Sequence, residues 1–213
     1  MIVEEVMVKK IVTIKTNDSL QTAQELMVNN SIRHLPVVEG KELFGIITES
    51  DIRGAFISLS QTSPEKMMSL NPTKMKVQDF MTRNPMTVTP ETNIEDAALM
   101  IYKNKIGALP VVKNSRLMGI VSIMDILGLF VNMMGILHSS SRIDVVMGKD
   151  PKNFDAVSKI IHDRGLNIIS VGMSPYPKNR KKQVYLFRLD LCETRPVVEE
   201  IENAGFKVVS AID

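Results

Sequence analysis

Leu35-Pro36-Val37-Val38, followed by Gly45-Ile46-Ile47-Thr48-Glu49-Ser50-Asp51, returns later as Leu109-Pro110-Val111-Val112 and Gly119-Ile120-Val121-Ser122-Ile123-Met124-Asp125. The offset is 74 residues, and it holds outward from these stretches. Val3 matches Val77, Met7 matches Met81, Thr13 matches Thr87 and Ala23 matches Ala97, with no gap. One register kept over about fifty residues marks an internal duplication. The chain therefore carries two copies of one unit, near 3–53 and 77–127.

Each copy reads locally as β-α-β-β-α. In the first, Val12-Thr13-Ile14 is a short β-prone run. Thr16-Asn17-Asp18-Ser19 supplies turn and N-cap residues, and Leu20, Ala23, Leu26 and Met27 follow at helical spacing. Asn29-Asn30-Ser31 ends that helix. Leu35–Val38 and Leu43–Thr48 form a hairpin around Glu39-Gly40-Lys41-Glu42, and another helix starts near Ser50. A unit of about fifty residues buries too little surface to stand alone, so the copies should pack on each other. We place the first domain at 1–57 and the second at 77–138. The linker between them, 58–76, carries enough Met and Leu (Met67, Met68, Leu70) to be partly packed.

After Ser139-Ser140-Ser141 the repeat does not return, and 139–213 reads as a third domain. Arg142–Met147 alternates like a strand. Asp150-Pro151 opens a helix with the stripe Phe154, Val157 and Ile161, which Gly165 ends. Asn167–Val171 and Val184–Leu191 are strands on either side of a turn cluster at Ser174–Asn179. Arg195-Pro196 opens a helix with Val197, Val198 and Ile201 inward, ended by Gly205, and Phe206–Val209 is the last strand. The order β-α-β-β-α-β is the ferredoxin-like split unit. The fold class expected is α/β (α+β): a packed pair of repeats plus this third domain.

Composition narrows the function. The 213 residues hold 26 Lys+Arg against 24 Asp+Glu, a net charge of +2, with 44% hydrophobic and 23% charged residues. That is a soluble globular composition. So even a balance argues against a nucleic-acid coat or a polybasic membrane anchor. One cysteine, Cys192, excludes an internal disulfide and a multi-cysteine zinc site. His34, His138 and His162 share no metal-ligand spacing. No phosphate-cradling glycine loop and no nucleophile–base pairing is visible, so no catalytic residue is assigned. Met1-Ile2-Val3-Glu4-Glu5 is no secretory leader. Leu117–His138 is apolar, but Asp125 in its middle opposes spanning. A cytoplasmic protein without membrane or nucleic-acid partners is expected.

The twice-occurring pattern of strand, helix, Leu-Pro-Val-Val, turn and Gly-Ile-x-x-x-x-Asp resembles a tandem pair of CBS domains, the Bateman module, throughout both copies. The last third resembles an ACT domain in topology and length. It departs from that family's acidic-Pro-Gly turn, since Asp150-Pro151 is followed by Lys152. A CBS pair with an ACT-like tail resembles the AcuB-type acetoin utilisation proteins.

In both copies a hydroxyl, Thr48 or Ser122, ends a strand, and an acid, Asp51 or Asp125, follows three residues on at a helix start. Such an acid can cap the helix. The CBS resemblance implies a second use: the acid accepts ribose hydroxyls and the Ser/Thr faces a phosphate. It also places Arg33 and His34 at the phosphates of a nucleotide, and Thr13 and Thr87 where adenine is met through backbone groups. Copy 2 has Gly107-Ala108 in place of Arg33-His34, so its site would borrow charge from Lys105 or Lys113, or else prefer a ligand with less phosphate. The resemblance thus implies a non-catalytic regulator with no cofactor. Its ligand would be an adenine nucleotide or S-adenosylmethionine, and it would act in acetoin or related carbon use.

Three alternatives stay open: a scaffold with empty sites, an amino-acid sensor through the last domain, and an enzyme whose residues assemble from afar. Leu127–Leu137 is apolar nearly all round and should be buried, by subunit contact in a homodimer or within the chain. Lys178, Arg180, Lys181 and Lys182 read as a solvated hairpin tip, or else as a surface for an acidic, regulated protein partner.

Overall fold

A computed structural model of the chain describes residues 1–60 and 72–213. Most of the segment between the repeats, with Met67, Met68 and Leu70, lies outside the described residues. Two compact units emerge, Met1–Ile126 and Leu127–Asp213.

The first unit holds both repeats except for the end of copy 2's last helix, which from Leu127 on belongs to the second unit. Copy 1 supplies α1 (Leu20–Asn29), the hairpin β1 (His34–Glu39) and β2 (Glu42–Thr48), and α2 (Glu49–Ser60). Copy 2 begins with β3 (Thr82–Arg83), then α3 (Ile94–Asn104), β4 (Ala108–Lys113), β5 (Arg116–Ser122) and α4 (Ile123–Met133). Ser19 caps α1 as its spacing predicts, its hydroxyl accepting from Thr22 N–H at 3.1 Å. Backbone detail repeats with the sequence. The hairpins share a bulge, at Val37/Val38 and at Val111/Val112. Ser31 and Lys105, one offset apart, both adopt the left-handed conformation just past their helices.

The hairpins meet at their turn ends, where β2 and β5 begin, Glu42 opposite Arg116, giving the order β1-β2-β5-β4 with β3 on β2. The leading segment of each copy crosses to the other copy. Val3 N–H donates to Thr92 C=O, and Val8 and Ile120 exchange two backbone bonds. In mirror fashion Val77 N–H donates to Asp18 C=O, and Thr82 pairs with Ile46. Val77 is fully buried in the core of copy 1 with Leu20, Leu35 and Ile47. Copy alignment did not reveal this exchange. It also corrects the first strand: Val12-Thr13-Ile14 is not a regular strand. Ile14 alone bridges Val37, and Val88 alone bridges Val111. The chain must cross from Ile120 at Val8 to Val37 at Ile14, which leaves one residue in register.

The crossing explains two glycines. A Cβ on Gly45 would lie 2.7 Å from Met81 Sδ and 2.8 Å from Thr82 C=O, and one on Gly119 would lie 2.5 Å from Met7 Sδ.

The second unit is built as expected. Strands β6 (Ser140–Gly148), β7 (Ile168–Pro175), β8 (Lys182–Asp190) and β9 (Lys207–Ile212) form one antiparallel sheet in the order β7-β8-β6-β9. Helices α5 (Pro151–Asp163) and α6 (Arg195–Asn203) bury Val157, Ile161, Val197 and Ile201 against Ile143, Val145 and Phe187. Asp150 caps α5, accepting from Lys152 N–H at 3.0 Å. The strand ahead of the turn cluster runs on to Pro175, four residues past the expected Val171. The opposite sheet face holds a fork, Arg142 Nε donating to Asp144 Oδ1 at 2.7 Å.

The apolar helix differs from expectation. It covers Ile123–Met133, not Leu127–Leu137, and buries no residue. Leu127, Phe130, Met133 and Leu137 stay exposed, Phe130 by 55%. Packing among the described residues therefore does not cover this row. Among the described residues no helix is long and apolar enough to cross a membrane.

Gly45→Ala should destabilise the first unit by about 1–3 kcal/mol, because the methyl must displace backbone at Thr82. A urea titration followed by circular dichroism checks this. An unchanged midpoint would mean that the crossed segment is not held against β2.

Candidate functional site

Where each hairpin enters its second helix, a hydroxyl and an acid bond reciprocally. Thr48 N–H and Oγ1 donate to Asp51 Oδ2 at 2.8 and 2.7 Å, and Asp51 N–H donates back to Thr48 Oγ1 at 3.2 Å. Ser122 and Asp125 repeat this at 2.7, 2.6 and 3.3 Å. This is a capping box, with the hydroxyl residue at N-cap and the acid at N3. Capping uses one carboxylate oxygen only. Oδ1 of Asp51 and of Asp125 has no protein partner among the described residues. Capping a helix and gripping a ligand are therefore compatible here. The hydroxyls are different. Each already donates to its acid and accepts from the acid's N–H, so its proton is committed. A phosphate would need other donors.

Both capping boxes open on one cleft of about 1080 Å³ within the first unit. Arg33, His34, Thr48, Asp51, Ser122 and Asp125 line it. The sequence expectation and the structure bring these six together. Thr13 and Thr87 do not line the cleft; their neighbours Val12 and Met86 do. Lys105 lines it as well. Lys113 does not, and its ammonium is paired with Glu91. Of the two lysines expected to serve copy 2, only Lys105 is placed to do so. Sequence reasoning missed Lys10, Arg53, Met86 and Met124, which also line the cleft. No local pattern in the sequence marks these four.

The cleft is asymmetric because His34 reaches across it. A Cβ on Gly107 would lie 2.3 Å from His34 Nε2 and 2.6 Å from Cε1. Gly107 is the counterpart of Arg33, so the imidazole of copy 1 fills the place of a side chain in copy 2. Burial pushes the His34 pKa down, the Arg33 charge pushes it the same way, and Asp51 opposes them. The shift favours the neutral ring, which offers one donor nitrogen and one acceptor nitrogen. Arg33 Nε lies 3.7 Å from Glu49 Oε2 and its side chain is 81% exposed. That loose pair leaves the guanidinium free to turn toward a ligand, because exposed ion pairs contribute roughly 0–1 kcal/mol. Among the described residues no group of histidine, cysteine and acidic side chains could hold a metal ion.

Comparison with known proteins gives a consistent picture. A family model described as "CBS domain" matches residues 3–58 and 77–132, just over half of the chain. A CBS domain-containing protein of Dictyostelium discoideum is 33% identical over 137 residues, which cover 62% of this chain and 93% of that protein. Inosine-5'-monophosphate dehydrogenase of Korarchaeum cryptofilum is 32% identical over 124 residues. This chain spans only 23% of that enzyme's length.

Among solved structures, the CBS domain pair of protein MJ0100 in complex with 5'-methylthioadenosine and S-adenosyl-L-methionine is 29% identical, with a TM-score of 0.53. It covers 62% of this chain and 97% of its own. CBSX2 in complex with AMP is 28% identical, with a TM-score of 0.52, covering 62% of this chain and 96% of its own. A Vibrio cholerae protein named for acetoin utilization (AcuB) is 26% identical, with a TM-score of 0.53, covering 64% and 94%.

A half-buried imidazole with a lowered pKa makes stability depend on pH. With its pKa below the ordinary 6.5, the folded chain binds the proton less readily than the unfolded chain does. Stability is then complete above about pH 6.5 and falls as the pH drops through that value. Between about pH 7.5 and 5.5 the wild type should lose more melting temperature than His34→Gln does. Parallel losses in thermal melts would mean that the ring is not held neutral.

Proposed function

The chain belongs to the CBS-domain family, and on that footing we propose that it is a non-catalytic, cytoplasmic regulator that senses an adenosine compound. One observation carries this reading: a single cleft collects two carboxylates, and each keeps one oxygen free after capping its helix. A carboxylate accepts both hydroxyls of a ribose diol well. The complexes of MJ0100 with methylthioadenosine and S-adenosylmethionine, and of CBSX2 with AMP, support the ligand class. In this reading Asp51 and Asp125 hold ribose, while Arg33 and the neutral His34 meet phosphate. The backbone beside Val12 and Met86, at Thr13 and Thr87, meets the base. Thr48 and Ser122 hold the acids in place.

Ligand binding can regulate only if one arrangement of the repeats binds more tightly than another. His34 against Gly107 is a contact that such a ligand would sense. The domain bounds 1–57, 77–138 and 139–213 belong to the same reading. The βαββαβ unit is read as ACT-like, a dimerisation element or the seat of a second effector. The likeness to the Vibrio AcuB protein supports a role in acetoin or related carbon use. The exposed row Leu127, Phe130, Met133 and Leu137 favours a homodimer contact.

Asp51→Ala should weaken AMP binding by about tenfold or more in calorimetry. Losing the box should also cost about 0.5–2 kcal/mol of ligand-free stability. No heat from AMP, ADP, ATP or S-adenosylmethionine on the wild type would instead favour a scaffold. Phe130→Glu should reduce the molar mass of a dimer toward that of one chain in light scattering at micromolar concentration. An unchanged mass would remove this face from the dimer contact.

A further inference from the structure

We propose that the two halves of the cleft select different adenosine compounds. Copy 1's half takes a 5'-phosphate, and copy 2's half takes a compound whose 5' substituent is uncharged and apolar, such as a thioether. The proposal rests on the adenosine reading above and specifies its ligands. The grip is the same in both halves, Thr48 with Asp51 and Ser122 with Asp125. What surrounds the grip is not. At the repeat offset, Arg33 faces Gly107, Glu49 faces Ile123 and Ser50 faces Met124, and all six line the cleft.

Copy 1's half has two guanidiniums, Arg33 and Arg53, within the same lining. Arg33 is held only by a 3.7 Å contact to Glu49, and turning it to a phosphate exchanges a weak exposed pair for a charge-assisted fork. In copy 2 that position is glycine, and His34 fills the space a side chain would need. Copy 2's own residues put one cation in the described lining, Lys105, while Lys10 stands two residues past Val8, which pairs with Ile120. A phosphate there would lie against Ile123 and Met124, large apolar side chains exposed by 45% and 67%. Such surface gives an anion no hydrogen bond and favours an apolar group. Met124 brings a polarizable thioether that packs adaptably on one. The space is sufficient: about 1080 Å³ exceeds the roughly 300–1,000 Å³ of sites that hold one small ligand.

Calorimetry on the full chain with AMP and 5'-methylthioadenosine as probes tests this. The two should bind together, one of each per chain, with saturating AMP changing methylthioadenosine affinity by less than about threefold. Arg33→Ala should weaken AMP by about tenfold or more and leave methylthioadenosine within about twofold. Met124→Ser, which installs the residue of copy 1, should weaken methylthioadenosine by about fivefold and leave AMP within about twofold. Both sites are exposed, and ligand-free melts check that the variants fold. Mutual competition for one site, or both probes weakened together by either variant, would overturn the proposal while leaving the adenosine reading intact. Binding of neither probe to the wild type would overturn both.

Discussion

The first unit depends on a reciprocal exchange of leading segments. The leading residues of copy 1 pair with copy 2, and the leading residues of copy 2 pair with copy 1. Neither copy closes its core without the other: Val77 sits in the core of copy 1, fully out of solvent. The exchange brings backbone so close to β2 that a Cβ at Gly45 would lie 2.8 Å from Thr82 C=O, and it sets the Met7 side chain against Gly119 on β5. It also explains why fifty-residue units can be stable in pairs. Each borrows apolar surface and ladder bonds from its neighbour.

The cleft follows from that arrangement. Two equivalent strand-to-helix junctions open on the same space, each with a capping box. The box serves two ends. It satisfies backbone N–H groups at the start of a helix, and it fixes a carboxylate with one oxygen outward. A side chain locked by its own helix is already oriented when a ligand arrives, so little entropy remains to be lost on binding. Adjacent residues carry no such constraint and are free to differ. The junctions therefore keep one common grip while their surroundings diverge from charged to apolar.

Much of this was legible in the residues. The offset disclosed the duplication, and Ser19, Asp150 and Gly165 marked helix ends because caps are local chemistry. The βαββαβ order of the last third followed from periodicity and turn residues. The acids and hydroxyls of the site stood out because they recur in register. The crossing segments did not, since pairing between distant stretches leaves no local pattern in a short run such as Val3–Met7. Arg53 and Met124 were passed over because each lies on a helix where a charged or an apolar residue is unremarkable. The burial assigned to Leu127–Leu137 was misjudged for a related reason: hydrophobicity indicates that a helix needs a cover and does not say whose.

Gly107 is conventionally the least informative residue in a list, yet it records a trade between the repeats. An ancestor with identical copies would have carried the same pair of residues at both junctions. The imidazole that now leans across the gap and a substituent at position 107 cannot coexist in this geometry. A side chain at 107 would have to displace that ring, whereas loss of the ring alone meets no such contact. The two junctions are in that sense complementary: one copy leans over where the other gives way.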